Sequence, residues 1–387
     1  MPVPLRCLVV ERATGTAHDR EAAGGWWRHF AEHECRGYSP LYEAICHAVA
    51  DAPDVLDLVL AAPSSGRRPN VLLAAAHDLV LRGVDHPLRP LYERAERHEA
   101  VDVAEAAGAF VDLVRRERSE VERLLSFRRT NTNECGRSAV LVPALRWATT
   151  EVGEPLALVD VGTSAGLNLR LDRYRIDYGN GRSTGPADSP VVITCTSTGP
   201  APVEAMAPAI VARIGLDREP VDLDDPAEVR WLLACVWPDT GRLARTRAAI
   251  DLARREPVEV VAGDAVDDLA RTVDRLPDDV PLAVTTSWVL AYLRPEARDH
   301  FVEQLAALSH DRAVVWISAE GPGVVPDVKA PPATDDLGAP SVTLSVLAAT
   351  VFRDGTRERT TALGLCHPHG SSLAWTATHA DSGGASS

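Results

Sequence analysis

The chain has 387 residues, of which 45% are hydrophobic and 25% are charged, and its formal net charge at pH 7 is -15. This is the composition of a globular protein with room for two domains. The acidic balance argues against a nucleic-acid partner, because proteins that bind a phosphate backbone usually present a basic face. The 7 cysteines form no C-x-x-C pair, which is typical of reduced thiols. The sequence has neither a signal-peptide core nor the ~20 apolar residues of a membrane span, so we expect a cytoplasmic protein without a membrane partner.

Residues 1–150 have the spacing of helices and contain no convincing strand. Apolar residues recur at helical intervals through 99–127, with Arg and Glu between them. Two further helices are predicted to begin near Pro40 and Asn70, and Gly83 suits the end of the second. We expect this region to serve as a lid or to bind substrate.

Residues 151–378 alternate short apolar runs with helical stretches, the pattern of a parallel doubly wound sheet. The predicted strands begin at Pro155, Tyr174, Pro190, Pro257, Pro281 and Asp311, and helices are predicted at Pro226 and Gly241. From Ser341 onward, extended segments with a turn at Asp354-Gly355 predict an antiparallel pair that closes the sheet. The predicted fold class is α/β, a doubly wound, mostly parallel Rossmann-like sheet with an antiparallel C-terminal strand pair, preceded by an all-helical N-terminal region. Residues 379–387 are expected to form a disordered tail.

The first predicted strand runs into the turn Gly162-Thr-Ser-Ala-Gly166, which permits three interpretations. As a nucleophile elbow it would expose Ser164, and Glu320 with His367 or His369 could complete a hydrolase triad. The helical character of the preceding region, and the lack of an upstream oxyanion loop, argue against this. The second interpretation is a phosphate-binding loop. As a dinucleotide fingerprint the turn lacks two of the three glycines, and as a nucleoside-triphosphate phosphate loop it lacks the lysine.

The third interpretation is a loop that binds S-adenosylmethionine. An acid at the end of the first strand would orient the amino group, the small-residue turn would lie along the carboxypropyl arm, and acids after later strands would bind the ribose and read the adenine. Ligands of open α/β sheets bind at these carboxyl ends of strands. The candidate cofactor-binding residues are Asp160, Gly162, Thr163, Ser164 and Gly166 at the first strand, Asp177 for the ribose, Asp264 and Ala265 for the adenine, and Ser287 on a central strand.

Four long motifs carry a resemblance to a known family: SPLY, TNTNECGR, VDVGTSAGLNLRLDRYRIDYG and RIGLDREPVDLDDPAEVRWLLACVWPD. They resemble the bacterial domain of unknown function 2332 family over nearly the whole chain. The resemblance implies a core like that of class I S-adenosylmethionine-dependent methyltransferases, and it brings no established reaction. The sequence departs from the wider methyltransferase pattern at Ala165, where the loop usually has a second glycine and where a methyl group narrows the room for a cofactor.

Polar and aromatic residues outside the loop suggest a substrate site. Asn131, Asn133 and Arg137 crowd the segment before the sheet, and Arg binds carboxylates or phosphates bidentately. Trp288 follows a central strand and could line a cleft. No cluster has metal-ligand spacing, and no general base is evident. We therefore predict methyl transfer from S-adenosylmethionine to a small-molecule acceptor; the alternatives are a serine hydrolase and a non-catalytic binding module on the same fold.

Overall fold

The computed structural model describes residues 16–332 and 344–378. Its helices are α1 (Ala17–Phe30), α2 (Pro40–Ala50), α3 (Pro53–Ala61), α4 (Pro69–Leu81), α5 (Leu88–Glu96), α6 (Val103–Arg116), α7 (Arg118–Phe127), α8 (Ser138–Val152), α9 (Pro226–Ala234), α10 (Arg242–Arg255), α11 (Leu269–Val273) and α12 (Pro295–Leu308). Its strands are β1 (Leu156–Val161), β2 (Arg175–Asp177), β3 (Ser183–Thr184), β4 (Val192–Thr194), β5 (Thr196–Thr198), β6 (Ile210–Asp217), β7 (Val260–Ala262), β8 (Leu282–Ser287), β9 (Val314–Glu320), β10 (Ser345–Arg353), β11 (Thr356–Cys366) and β12 (Ser372–Trp375). The predicted disordered tail, 379–387, lies outside the described residues.

The described residues form two compact units, of which the first comprises 16–132 and 225–244. It contains the helices α1–α7 and α9 and no strand, in agreement with the helical character predicted for this region. The starts of these helices follow from local capping: Ser39 accepts a hydrogen bond from the amide of Tyr42 ahead of Pro40, and Asp102 caps α6. The predicted helix through 99–127 is two helices, because the backbone leaves the helical region at Glu117.

Among the described residues the second unit comprises 133–224, 245–332 and 344–378, and it contains a nine-stranded sheet of order β5-β12-β11-β10-β9-β8-β1-β6-β7. From β9 to β7 the neighbouring strands are parallel. β1, β8 and β9 are buried along their whole length, which explains their apolar sequences. The predicted antiparallel pair is confirmed as β10 and β11. It does not close the sheet, however, because β12 and β5 continue it beyond β11.

One strand prediction needs correction. The segment that begins at Tyr174 forms β2, but β2 belongs to a separate three-stranded sheet of order β3-β2-β4. The neighbour of β1 on that side of the large sheet is β6, which the sequence did not predict. The sequence pattern does not predict β6, because Arg213 interrupts its apolar run. In the structure the Arg213 guanidinium forms an ion pair with Asp172 at 2.6 Å.

The order of the parallel strands defines a reversal in the large sheet. After β1 the chain adds β6 and β7 on one side, then returns to add β8 and β9 on the other. Such a reversal leaves a crevice outside the carboxyl ends of the two central strands, here β1 and β8, and this is where ligands bind in open α/β sheets.

The predicted ranges 1–150 and 151–378 do not coincide with the two units, since α8 packs on β8, β9 and β10. The division into those two domains stays a prediction. Over the described residues, no helix combines the length and apolar character needed to cross a bilayer.

Candidate functional site

The loop after β1 is held by hydrogen bonds from its own backbone amides to other groups of the same unit. The donors and acceptors are Gly162 N to Leu216 O (2.7 Å), Ser164 N to Asp217 Oδ2 (2.8 Å), Gly166 N to Thr163 O (2.8 Å) and Leu167 N to Asn133 Oδ1 (2.9 Å). A phosphate-binding loop directs its amides at the ligand instead. These four amides are engaged by the protein, which argues against phosphate binding at this loop.

The two glycines of the loop have reasons in packing. Both have left-handed φ angles, +72° at Gly162 and +68° at Gly166. A β-carbon on Gly162 would lie 2.2 Å from Cγ2 of Val289, the residue that follows the end of β8 by two positions. Close packing of the β1 loop against the β8 loop therefore requires glycine at 162, whether or not a ligand binds.

Ser164 and Ala165 differ from the expectations for a cofactor loop. Ser164 has a left-handed φ of +55°, which costs an L-residue roughly 1–2 kcal/mol. Ala165 is buried and has no such φ, so its backbone does not require glycine. Thr163 is fully buried, and its methyl group occupies the space next to Gly215 of β6, only 2.5 Å from where a β-carbon on that glycine would lie. The Thr163 side chain therefore packs against β6.

Asp160 lies at the end of β1, between β6 and β8, and is 3% exposed. Its Oδ1 accepts a hydrogen bond from Thr285 Oγ1 at 2.7 Å. Burial raises the pKa of its carboxyl group to about 6, and the hydrogen bond from Thr285 opposes that rise. At neutral pH this site thus holds a carboxylate that water does not stabilise.

The predicted ribose acid, Asp177, is not at this edge of the sheet. It ends β2 in the small sheet, is exposed, and accepts a hydrogen bond from Gly179 N at 2.8 Å. The premise behind its assignment is wrong, because β2 is not the strand next to β1. That place belongs to β6, which ends in Asp217. Sequence reasoning missed Asp217, although it stands in the segment RIGLDREP that was singled out as a family motif.

Asp264 and Ala265 follow β7, as predicted. Asp264 forms an ion pair with Arg218, and its Oδ1 accepts from the amide of Val266 at 2.9 Å. The pKa of Asp264 is lowered, chiefly by that backbone hydrogen bond. Ala265 packs against the core of the sheet. The carboxyl ends of the adjacent parallel strands β1, β6 and β7 therefore each have an acid at or beside them.

The other side of the crevice is organised by Arg137. Its Nη1 donates to Ser287 O at 2.9 Å and lies 3.3 Å from Ser287 Oγ, and its Nε donates to Pro368 O at 3.0 Å. The predicted residues Arg137 and Ser287 are thus in contact. Trp288, which comes next, has a left-handed φ of +58°, and its Nε1 donates to Ser345 Oγ at 2.9 Å.

Glu320, at the end of β9, has an unusual environment. The residue is 0% exposed, and its Oε1 accepts hydrogen bonds from the amides of Val289 (3.0 Å) and Leu290 (3.2 Å). Its Oε2 is buried and has no hydrogen-bond partner among the described residues. Burial raises the pKa of Glu320, while the backbone amides and Arg137 act in the opposite direction. The sequence suggested Glu320 only as a hydrolase acid.

The remaining candidates fall in different places. Asn133 belongs to the sheet unit and holds the loop through Leu167, whereas Asn131 belongs to the helical unit. His367 and His369 lie in the loop between β11 and β12, whose Pro368 carbonyl binds Arg137. Within 16–332 and 344–378, no group of three or more His, Cys, Asp or Glu residues could hold a metal ion.

The fold and the site define an α/β protein with a doubly wound strand order and acids at the carboxyl ends of its central strands. A family model described as "Uncharacterized protein conserved in bacteria (DUF2332)" matches residues 25–375. This match covers most of the chain, so the protein belongs to that family, as its motifs predict. No curated protein matches the sequence.

Proposed function

We propose that this protein binds S-adenosylmethionine across the carboxyl ends of the central strands and transfers its methyl group to a small-molecule acceptor. The observation that carries the proposal is the series Asp160, Asp217 and Asp264 at the ends of the adjacent parallel strands β1, β6 and β7. In sheets of this order, an acid at the end of the strand next to β1 binds the hydroxyl groups of a ribose.

Asp217 is suited to that role by the bonds it already makes. Its Oδ2 accepts from Ser164 N at 2.8 Å and its Oδ1 from Glu219 N at 2.9 Å. Each carboxylate oxygen has a second acceptor position, so both can still receive a hydrogen bond from a ribose hydroxyl. The two amides also fix the orientation of the carboxylate before a ligand arrives, which lowers the entropy cost of binding.

The charge of the crevice supports a cationic ligand over a pyrophosphate. Asp160 and Glu320 are buried acids on either side of β8, and neither is directly hydrogen-bonded to an arginine among the described residues. The cofactor carries a sulfonium and an ammonium group, which such carboxylates attract, whereas they repel the phosphates of a dinucleotide. When bound, S-adenosylmethionine supplies an activated methyl group; the protein's own residues would orient it and exclude water.

The contacts of the loop also limit what it can contribute. Val289 occupies the space over Gly162, so the glycine itself is not evidence for a cofactor. The acids therefore carry the proposal, and the experiment tests one of them. We expect calorimetric titration of the full-length protein with S-adenosylmethionine and S-adenosylhomocysteine to give measurable binding heats.

In Asp217→Asn the single amide oxygen can accept the Ser164 amide but not the Glu219 amide as well, and the charge that strengthens the ribose bonds is lost. A charge-assisted hydrogen bond contributes roughly 1.5–3 kcal/mol, so binding should weaken about 10- to 100-fold. The matched control is Asp177→Asn, an exposed acid of the small sheet, which should leave binding unchanged. Folded wild-type protein that gives no heat with millimolar ligand would refute the proposal.

A serine hydrolase is the second candidate, because the left-handed φ of Ser164 on a strand-to-turn junction is a feature of a nucleophile elbow. A fluorophosphonate probe separates the two functions. Labelling of the wild type that disappears in Ser164→Ala would replace methyl transfer by hydrolysis as the proposed activity.

A further inference from the structure

The buried charges at the ends of β8 and β9 do not balance. Three carboxylates are buried there, Glu134, Asp160 and Glu320, against one buried guanidinium group, Arg137, and one that is partly exposed, Arg245. Glu134 is paired with Arg245 at 2.9 Å. Arg137 is therefore the one buried cation left to interact with both Asp160 and Glu320 in the described part of this unit. With all five groups ionised, the cluster has an excess of one negative charge, which is costly in a buried site.

Glu320 lacks a partner on one side only. Its Oε1 is satisfied by two backbone amides, and the carboxylate is thereby fixed in orientation. Its Oε2 is buried without a hydrogen-bond partner among the described residues, although the amide of Ala291 also lowers the pKa of this carboxyl group. Buried carboxylate oxygens are nearly always hydrogen-bonded, so this atom has room for a donor from water or from a ligand.

The Arg137 guanidinium has a terminal nitrogen that its known hydrogen bonds do not use. Its Nε donates to Pro368 O, and its Nη1 donates to Ser287 O at the end of β8. Its second terminal nitrogen, Nη2, has no hydrogen-bond partner within the described ranges. Ser287 is the register partner of Ala319, the residue before Glu320, so the two side chains are anchored on neighbouring strands at the same level. A guanidinium donor and a carboxylate acceptor without printed partners are thus anchored at the same end of the neighbouring strands β8 and β9.

We propose that Arg137 and Glu320 together bind the α-amino acid group of the ligand, with Glu320 Oε2 accepting from its ammonium and Arg137 Nη2 donating to its carboxylate. This inference rests on the proposed function, in which the ligand is S-adenosylmethionine. It fixes the direction of the ligand: the nucleoside lies over β6 and β7, and the amino acid end lies over β8 and β9. The cationic sulfonium then lies between them, near Asp160, and offsets the excess negative charge of the cluster.

Two ligands that differ only at the amino acid end provide the test. S-Adenosylhomocysteine has the α-amino acid group, and 5′-methylthioadenosine has the same nucleoside and thioether without it. Both are titrated calorimetrically into full-length wild type and Glu320→Gln. Gln retains the acceptor for the Val289 and Leu290 amides, so the fold should be preserved, and Glu303→Gln, an exposed acid of α12, is the matched control.

We expect the wild type to bind S-adenosylhomocysteine at least tenfold more tightly than 5′-methylthioadenosine. Glu320→Gln should weaken S-adenosylhomocysteine at least tenfold and leave 5′-methylthioadenosine unchanged. Arg137→Lys, which keeps the charge but loses the guanidinium fork, should show the same selective loss. Glu303→Gln should bind both ligands as the wild type does.

The contrary outcomes are distinct. Equal wild-type affinity for the two ligands, or equal weakening of both in Glu320→Gln, would overturn the amino acid site and leave the proposed function standing. Binding of neither ligand to folded wild type would overturn both. The selective loss in Glu320→Gln is the result that supports this site, because a purely structural role of Glu320 would affect both ligands alike.

Discussion

Replacement of Asp160 by asparagine should stabilise the protein at neutral pH. The carboxylate is 3% exposed, and its pKa is raised from 3.8 to about 6, mainly by burial. The amide oxygen of asparagine can still accept the hydrogen bond from Thr285, so the substitution removes the charge and little else. The wild type has to ionise this group inside the protein, whereas the unfolded chain ionises it in water.

The magnitude follows from the pKa difference. Each pKa unit corresponds to about 1.4 kcal/mol, so the buried carboxylate lowers the free energy of unfolding by roughly 3 kcal/mol above pH 6. Because the pKa of the folded state is the higher one, the cost is absent below about pH 4, grows between about pH 4 and 6, and is constant above that. Asp160→Asn should therefore exceed the wild type by about 3 kcal/mol at pH 7.5 and by about half as much at pH 5.0.

Urea denaturation at these two pH values measures the difference directly. Asp177→Asn, which alters an exposed carboxyl group, serves as the control and should change stability by less than about 0.5 kcal/mol at either pH. The reasoning would be refuted if Asp160→Asn were no more stable than the wild type at pH 7.5, or if its advantage did not shrink at pH 5.0. Either result would mean that Arg137 and the hydrogen bond from Thr285 outweigh the cost of burial.

Four further substitutions test the packing, the capping and the backbone in the same urea assay. Gly162→Ala should destabilise the protein by about 2–4 kcal/mol, because the added methyl group would lie 2.2 Å from Val289 Cγ2 at a φ of +72°. Gly25→Ala in α1 should instead stabilise it by about 0.5–1 kcal/mol, because a β-carbon there meets nothing within 4 Å. Ser39→Ala should lower stability by about 1–3 kcal/mol, since Ser39 caps α2 and also donates to the half-buried Asp239 at 2.7 Å; no loss would show that water replaces both bonds. Ser164→Gly removes a left-handed φ of +55° from an L-residue, which by itself should stabilise by up to about 1 kcal/mol; a net loss would mean that the interactions of the Ser164 side chain outweigh this relief.

The sequence predicts the buried strands of the large sheet well, for a physical reason. β1, β8 and β9 are covered on both faces, so their sequences are nearly continuous apolar runs bounded by proline or charged residues. β6 lacks such an apolar run, because five of its eight positions are partly or fully exposed and Arg213 interrupts its apolar residues. Strands that lie toward the edge of a sheet thus have weaker patterns.

The error over the ribose acid follows from that missed strand. Between β1 and β6 the chain inserts a complete small sheet, and the first strand after β1 in sequence belongs to it. Counting strands along the chain therefore selects Asp177, while pairing in space selects Asp217. No local pattern distinguishes the two, because strand neighbours in a parallel sheet are set by crossovers that depend on the whole fold.

The acids say more about the function than the glycines do. The spacing of the glycines suggested a ligand loop, but the packing of Val289 on Gly162 is a sufficient reason for glycine there. For Asp160 and Glu320 the structure offers only a partial reason, because both carboxylates interact with a single buried cation, Arg137. An amide at either position could keep the hydrogen bonds that each makes within the protein, without the cost of a buried charge. Natural proteins tolerate such costs at functional sites, where stability is exchanged for binding or catalysis. A ligand that brings positive charge to the ends of β1, β8 and β9 accounts for both carboxylates at once, and Asp160→Asn and Glu320→Gln, which remove these charges, should then weaken the binding of such a ligand.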